Sequence, residues 1–456
     1  SRKVKEGTLF IALRGVQSDG HDFIFDAIDK GAIAIIANGR APVTNKVPIL
    51  QVSNPRKVMS QIASNFFETQ KNNLKVIGIT GTNGKTTTTQ ITNHILNFNN
   101  LRSGSLGTLG FDTPTGMKST NFTTPESIDL HHILKIMKDG GIQFVPMEVS
   151  SHAIGMNRVD NLKFDVGIYT NLGFDHLDFH GNRENYFKTK LKLFQNLSKK
   201  ATAIINIDDE YSKRIIENLK SKHLTYSIDK KADLYIKKYS LEINQSKAII
   251  VYKKKEYTLS TALVGKFNLY NILASILCNL CLGVNIKSAI NAMSSFKNVP
   301  GRFEKFKLPN NKGFAIIDYA HSPDAFENIY KNIKIINEKK KIISVFGCGG
   351  NRDSKKRPKM ASIAENFSDW VIITNDNPRN ESEDEIIEDI KKGFLFNKNE
   401  VIKNRKEAII KAIEMSKNHI IVILGKGIEE YQILKNKKIP HSDINTVENY
   451  INENRN

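Results

Sequence analysis

The sequence predicts an α/β protein in three parts. These are a small N-terminal α/β domain, a central P-loop-type domain on a mainly parallel sheet, and a C-terminal Rossmann-like α/β domain. Three observations carry this. At 456 residues the chain far exceeds what one hydrophobic core serves, and about 150 residues per domain gives roughly three. Apolar runs of strand length alternate with helical patterns through the middle and last thirds. A glycine-rich run, Gly81-Thr82-Asn83-Gly84-Lys85-Thr86-Thr87, sits between a buried-strand pattern and a helix start.

Taken in order, residues 1–73 show strand patterns at 8–13, 32–37 and 48–52 and one helix over 55–69. A polar turn at 71–73 closes this unit. The second unit, 74–298, opens with a strand at 74–79, the glycine-rich turn and a helix over 86–98. Further strands follow at 144–149, 165–170 and 201–206, with helices between them, which is the pattern of a parallel sheet. Lys297-Asn298-Val299-Pro300-Gly301 carries a Pro/Gly boundary signature. Beyond it, in 299–456, strands at 314–318, 342–346, 370–374 and 419–424 alternate with helices again.

Composition narrows the class. Apolar residues are 40% and charged residues 25% of the chain, the balance of a soluble globular protein. Apolar runs such as 420–424 fall well short of the ~20 residues that cross a membrane. No charged and then apolar leader opens the chain, so a cytoplasmic protein without membrane insertion is expected. Cys278 and Cys281 form a C-x-x-C in an apolar helical pattern and read as buried core thiols. Lys and Arg number 67 against 47 Asp and Glu, for a net charge of +20. The lysines are scattered, and clusters such as 253–255 and 339–341 lie beside strand patterns, where solvated edges carry lysine. No aromatic-interleaved basic patch appears, so no nucleic-acid partner is expected.

The chemistry starts at the glycine-rich run. Glycines let backbone N–H groups approach phosphates, a helix N-terminus adds positive partial charge, and Lys85 reaches the β/γ-phosphates. Thr86 offers a hydroxyl to Mg²⁺. The usual spacing wants glycine at 79, where this chain has Ile79, so the loop is a variant. Glu148 ends a strand pattern, His176 lies in Asn171-Leu172-Gly173-Phe174-Asp175-His176, and Lys190 lies on a helix. A carboxylate and an imidazole at strand ends near a phosphate loop can hold a divalent ion. Each also has an ordinary reading: Glu148 as a helix cap, His176 as a loop hydrogen-bonding residue, Lys190 as a solvated helix lysine.

An ordered series of separated motifs resembles the Mur ligases of peptidoglycan synthesis. They are Ser1-Arg2-Lys3, the 81–87 loop, Glu148 to His152, the run 175–181 and Gly265 to Asn271. After the boundary come Pro300-Gly301-Arg302-Phe303-Glu304, Asp318 to Asp324, Gly347 to Asp353, Asp376-Asn377-Pro378-Arg379 and Gly425 to Glu429. The resemblance implies a UDP-sugar-binding domain at 1–73, an ATP-binding domain at 74–298 and an amino-acid-binding domain at 299–456. It implies an ATP-dependent ligase that adds meso-2,6-diaminopimelate to the D-Glu carboxylate of UDP-MurNAc-L-Ala-D-Glu through an acyl phosphate, working as a monomer. A related folylpolyglutamate synthase would share the loop but not the 376–379 series or the N-terminal Ser-Arg-Lys.

Residue by residue, the resemblance implies ATP contacts from Gly81, Thr82, Asn83, Gly84, Lys85, Thr86, Thr87, Asn268, Arg302 and Asp318. It implies two Mg²⁺ ions held by Thr86, Glu148, His176 and a carbamate that CO₂ forms on Lys190, with Lys85, Lys190 and His176 as the catalytic set. Ser1, Gln17 and Ser18 match the nucleotide-sugar site, and Thr123, Thr124, Ser150 and Arg158 the muramoyl-dipeptide contacts. Arg352, Asp376, Asn377, Pro378, Arg379, Gly425 and Glu429 match the diamino-acid site. Phe122 and Met156 stand where polar residues are expected. A guanidinium at 379 is the group expected to read the distal carboxylate of diaminopimelate, the ordinary alternative being a surface pair with Glu381 or Glu383.

Overall fold

The computed structural model describes every residue except 1–2, 16–17, 40, 72, 121, 338, 397, 436 and 455–456. Its strands form, in chain order, a three-stranded sheet, an 11-stranded sheet, a six-stranded sheet and a two-stranded ribbon. In the first sheet the strands Thr8–Ile11, Ala32–Ala37 and Ile49–Gln51 pair in parallel. The helix Pro55–Phe66 follows, with the Asn54 side chain accepting from Lys57 N and Pro55 in the first turn. It stops short of 69 because Glu68 turns into the left-handed region (φ +51°). Thr69 N then closes back on Ser64 O at 3.1 Å.

In the large sheet, the strand Lys75–Thr80 lies between parallel partners Phe144–Glu148 and Val166–Tyr169. The chain builds one side of this strand first and then crosses to the other. The carboxyl ends of these three strands therefore flank a switch point, where open α/β sheets form their crevice. Ile77 and Ile79 pack under Ile91 and Ile95 of the helix Lys85–Phe98 and Ile272 and Ile276 of the helix Lys266–Cys281. Cys278 is buried in that core as a free thiol, as its helical pattern indicates.

The sheet's two ends depart from the expected parallel pattern. At one end Leu234–Leu241 joins in parallel, and Ser246–Tyr252 and Lys255–Thr261 then follow it antiparallel. Leu106–Gly107, Gly110–Thr113 and Gly116–Lys118 do the same at the other. Lys253 and Lys254, at φ +47° and +63°, make the tight turn of one hairpin, which explains that lysine cluster without a ligand.

The six-stranded sheet runs Glu304–Lys307, Gly313–Asp318, His419–Leu424, Ile342–Phe346, Trp370–Ile373, Asn399–Val401, parallel apart from its first pair. The loops 319–322, 425–429, 347–352 and 374–379 thus leave the same sheet edge. No helix among the described residues is long and apolar enough to cross a membrane.

Beneath these loops Arg405 and Asp443 form an ion pair with neither side chain exposed, at 2.7 Å. Burial alone would raise the Asp443 carboxyl, but Arg405 and His441 hold it well below the usual carboxylate range. A depressed folded-state pKa stabilises the fold above the unfolded value near 4 and loses that contribution as pH falls below it. Asp443→Ala strands a buried guanidinium and is expected to cost about 3–5 kcal/mol. Denaturant titration checks this; the deficit should shrink as the pH is lowered below about 4.

Candidate functional site

The loop after Lys75–Thr80 is shaped by two glycines. A Cβ on Gly81 would overlap Thr170 Oγ1, and one on Gly84 (φ +87°) would overlap Asn271 Oδ1. Only glycine allows both approaches. The loop is then laced to the neighbouring strand end. Thr82 N donates to Asn171 O (2.9 Å), Asn83 N to Asn171 Oδ1 (3.0 Å), and Thr170 Oγ1 to Asn83 O (2.6 Å).

Two ammonium groups converge on this loop. Lys85 Nζ donates to Gly81 O at 2.9 Å and to Thr82 O at 2.8 Å. Lys190 Nζ, on the helix Arg183–Gln195, donates to the same Gly81 O at 2.9 Å. It lies 4.5 Å from the centre of the Tyr186 ring, and Tyr186 is itself hydrogen-bonded to Thr82 Oγ1. Lys190 is 1% exposed, so the solvated reading fails. Burial, followed by the charge of Lys85, pushes its pKa well below the lysine range.

Glu148 is also buried, and it caps no helix, since Ser150 caps the helix Ser151–Gly155. Its carboxylate accepts from Thr86 Oγ1 (2.9 Å), Thr108 N (2.7 Å) and Thr108 Oγ1 (3.2 Å). A Cβ on Gly107 would overlap its Oε1. Glu148 and Thr86 together are a hard-oxygen pair of the kind Mg²⁺ takes. His176 sits at φ +54° with Nε2 3.4 Å from Asp175 Oδ2 and its ring 4.7 Å from that of His152. Burial lowers its pKa to about 4, which leaves the imidazole neutral and able to ligate at pH 7. Among the described residues, no three His, Cys, Asp or Glu side chains come together as a ready metal set.

The C-terminal sheet reaches this loop. Arg302 Nη2 donates to Thr86 Oγ1 at 3.2 Å while its guanidinium lies 4.5 Å from the Tyr319 ring centre. Asp318 accepts from Phe303 N and Ala320 N, both at 2.7 Å; burial raises its pKa against the pull of Arg302. Asp324 Oδ2, in the first turn of the helix Pro323–Ile336, takes Phe174 N at 2.6 Å, tying the 171–176 loop to the C-terminal part of the chain. Asn268 is buried, accepting from Asn271 Nδ2, and Asn271 in turn receives Thr88 Oγ1. Thr87 is buried in the first turn of the loop's helix.

A second cluster lies beyond Glu148. Thr123 Oγ1 contacts Thr108 Oγ1 at 3.2 Å, Thr124 Oγ1 donates to Glu148 O at 2.8 Å, and Ser150 N donates to Thr124 Oγ1 at 3.1 Å. Arg158 donates to Thr124 O and pairs with Glu126 at 2.8 Å. The two apolar departures both rest on it. Phe122 stacks 4.7 Å from its guanidinium, and Met156 Sδ lies 3.5 Å from Nη2. Ser18 is exposed in a loop of the first sheet. Ser1 and Gln17 lie outside the described residues.

The third cluster occupies the edge of the C-terminal sheet. Arg379 is a non-glycine residue at φ +54°, held there by Arg379 N to Ile433 O (2.9 Å) and Lys435 N to Arg379 O (2.6 Å). Its Nη1 donates to Gly350 O at 2.8 Å, and no carboxylate pairs with it among the described residues. Glu381 instead takes Arg357, and Glu383 takes Asn375. Burial, followed by the nearby charge of Arg352, lowers the Arg379 pKa against the pull of Asp376 and Glu429. Asp376, Asn377 and Pro378 are buried beside it. Gly425 is at φ +116°, where a Cβ would lie 2.7 Å from Asp376 Oδ2. Asn377 Nδ2 donates to Glu429 Oε2 at 2.8 Å.

Sequence reasoning missed Thr108, Glu126, Asp324 and Lys426. Only Asp324 and Lys426 stood inside motifs already singled out; Thr108 arrives from a short hairpin with no sequence signal of its own.

Comparison with known proteins agrees with this geometry. The Mur ligase catalytic domain profile matches residues 1–67, the Mur ligase middle domain residues 79–279, and the Mur ligase glutamate ligase domain residues 301–427. The chain is 42% identical over 449 residues (98% of this chain, 91% of the relative) to a UDP-N-acetylmuramoyl-L-alanyl-D-glutamate–2,6-diaminopimelate ligase of Aquifex aeolicus. It is 43% identical over 442 residues (95% and 90%) to one so named in Clostridioides difficile. A solved structure of a ligase with that name aligns with TM-score 0.69 at 30% identity, covering 99% of this chain and 93% of that one. A MurF ligase of Thermotoga maritima in complex with ADP aligns with TM-score 0.68 at 21% identity (99% and 96%), which speaks for the fold alone. Sequence, fold and the residues gathered at the crevice agree: the chain belongs to the Mur ligase family.

Proposed function

We propose that this Mur ligase uses ATP to join meso-2,6-diaminopimelate to the D-Glu carboxylate of UDP-MurNAc-L-Ala-D-Glu in peptidoglycan synthesis. The observation that carries the amino-acid choice is the Arg379 guanidinium beside Arg352, unpaired with any carboxylate among the described residues. Diaminopimelate differs from lysine chiefly by a distal carboxylate, and a guanidinium fork reads a carboxylate. Relatives about 40% identical over nearly the whole chain carry the name of that reaction.

In this reading residues 1–73 bind the UDP end through Ser1, Gln17 and Ser18, 74–298 bind ATP, and 299–456 bind the amino acid. The backbone amides of 81–87 cradle the phosphates, and Asn268, Arg302 and Asp318 flank the nucleotide. Lys85 leaves its loop carbonyls for the γ-phosphoryl group, where its charge counters what develops during transfer. Thr124, Ser150 and Arg158, braced by Phe122, Met156 and Glu126, place the D-Glu carboxylate for attack. Phosphoryl transfer converts that carboxylate into an acyl phosphate. The free amine of the incoming amino acid then attacks the carbonyl, loses its proton, and phosphate leaves, while Gly425 and Glu429, beside Asp376 and Asn377, hold the distal amino and carboxyl end. Thr86, Glu148 and His176 fit Mg²⁺, which would neutralise phosphate charge. Lys190, buried and with its pKa driven down, fits the neutral amine that CO₂ carbamylates, giving an anionic oxygen donor to the same site. We take the enzyme to act as a cytoplasmic monomer.

Phosphate release from ATP tests the reading. With UDP-MurNAc-L-Ala-D-Glu present, it should be fast with meso-diaminopimelate and slow with lysine; equal use of lysine contradicts the assignment. Arg379→Ala should lose about 10- to 100-fold in kcat/KM for diaminopimelate without gaining comparable lysine activity.

Lys190→Ala should nearly abolish turnover while ATP binding, measured calorimetrically, persists. A small carboxylate at high concentration should restore part of the rate. An alanine variant at wild-type rate would remove Lys190 from the mechanism.

A further inference from the structure

Lys426 follows the strand His419–Leu424, and none of its side chain is exposed. A fully buried lysine needs partners to offset its lost hydration, and it has two. Nζ donates to Glu429 Oε2 at 2.7 Å and to Asn377 Oδ1 at 3.2 Å. Asn377 Nδ2 reaches the same Glu429 oxygen at 2.8 Å, closing a three-membered ring. Glu429 Oε1 has no hydrogen-bond partner among the described residues, and the Glu429 side chain is 24% exposed.

Asn377 Oδ1 also accepts from Ile433 N at 2.9 Å, and Gln432 Nε2 donates to Asn375 O and Asp376 O. The strands behind the two loops so joined, Trp370–Ile373 and His419–Leu424, are separated by Ile342–Phe346. Among the described residues no backbone hydrogen bond connects 375–379 with 424–429. Arg405 spans them from below, donating to Asn375 O and Leu424 O. Lys426 spans them at the level of the side chains. Its charge matters as well. Arg352 and Arg379 balance Asp376 and Glu429, so this ring of side chains is neutral without Lys426 and singly positive with it. Diaminopimelate with its attacking amine unprotonated carries one net negative charge; lysine in the same state carries none.

We propose that Lys426 is a positioning and selectivity residue for the incoming amino acid. It locks Asn377 and Glu429 into one acceptor pair, occupies one oxygen of Glu429 so that a substrate ammonium meets the other, and tips the local charge toward a dicarboxylate. The proposal rests on the reading that Asn377 and Glu429 receive that amino acid.

The test is steady-state kinetics on the full enzyme with K426M, K426R, E429Q and K426M/E429Q. K426M should raise KM for diaminopimelate about 10- to 100-fold, leave KM for ATP and for the UDP-peptide within twofold, and narrow the preference over lysine. K426R should recover most of the loss. If Lys426 works through Glu429, K426M/E429Q loses no more than the worse single variant, since contacting residues are non-additive. The double variant leaves no buried charge unpaired, so it gives the same reading if K426M does not fold. An unchanged diaminopimelate KM, a loss spread over all three substrates, or additive losses would overturn the proposal. The wild-type amine panel separates this from the amino-acid assignment. If the wild type uses another amine, the same KM split is read with that amine.

Discussion

Two ammonium groups, from Lys85 and Lys190, meet at the carbonyl oxygen of Gly81, and much of the site follows from how the fold tolerates them. Like charges in a water-poor crevice repel, and one relief is for one of them to lose its proton. Both donate to carbonyl oxygens alone, and burial lowers both; Lys190, with Asp175 opposing, is driven well below the lysine range. Lys85 keeps Glu148 and Asp175 in its field. In the proposed function Lys85 is the cation that meets phosphate and Lys190 the amine that takes up CO₂. Gly81 makes the meeting possible, because any side chain there would overlap Thr170.

The same crevice is completed across the two larger sheets. Thr86 donates to Glu148 and accepts from Arg302, so one hydroxyl links the phosphate loop, a strand-end carboxylate and the C-terminal sheet. Asp324 adds a second link through Phe174 N, in the loop that carries His176. The C-terminal part of the chain presents Arg302 and Asp324 toward the phosphate loop, and from the edge of its sheet come the loops bearing Arg379 and Glu429. Under the proposed function, an amine held at that edge would meet a carbonyl activated near the phosphate loop, the positioning a two-step ligase requires.

What was legible in the sequence was local or contiguous. The 81–87 loop needs glycines at fixed offsets, and four of the five parallel strands of the C-terminal sheet are mainly apolar runs. What stayed hidden depends on distant partners. The burial of Lys190 depends on the phosphate loop, which lies over a hundred residues earlier in the chain. Thr108 becomes a Glu148 partner only because a short hairpin adds to the sheet edge. Of the three strands in 234–261, only strand patterns beside Lys253 to Lys255 showed, without bounds, because lysines interrupt the alternation. Phe122 and Met156 departed from the expected polar pattern, and the structure gives them a shared task, packing on Arg158.

The central claim is that Lys190 is held as a neutral amine that captures CO₂. It is tested most directly by ¹³C NMR of the enzyme equilibrated with ¹³C-bicarbonate. The account predicts one carbamate carbonyl resonance in the wild type, absent from a Lys190→Ala variant whose fold is intact. A spectrum without that resonance, or the same resonance in both proteins, would contradict it.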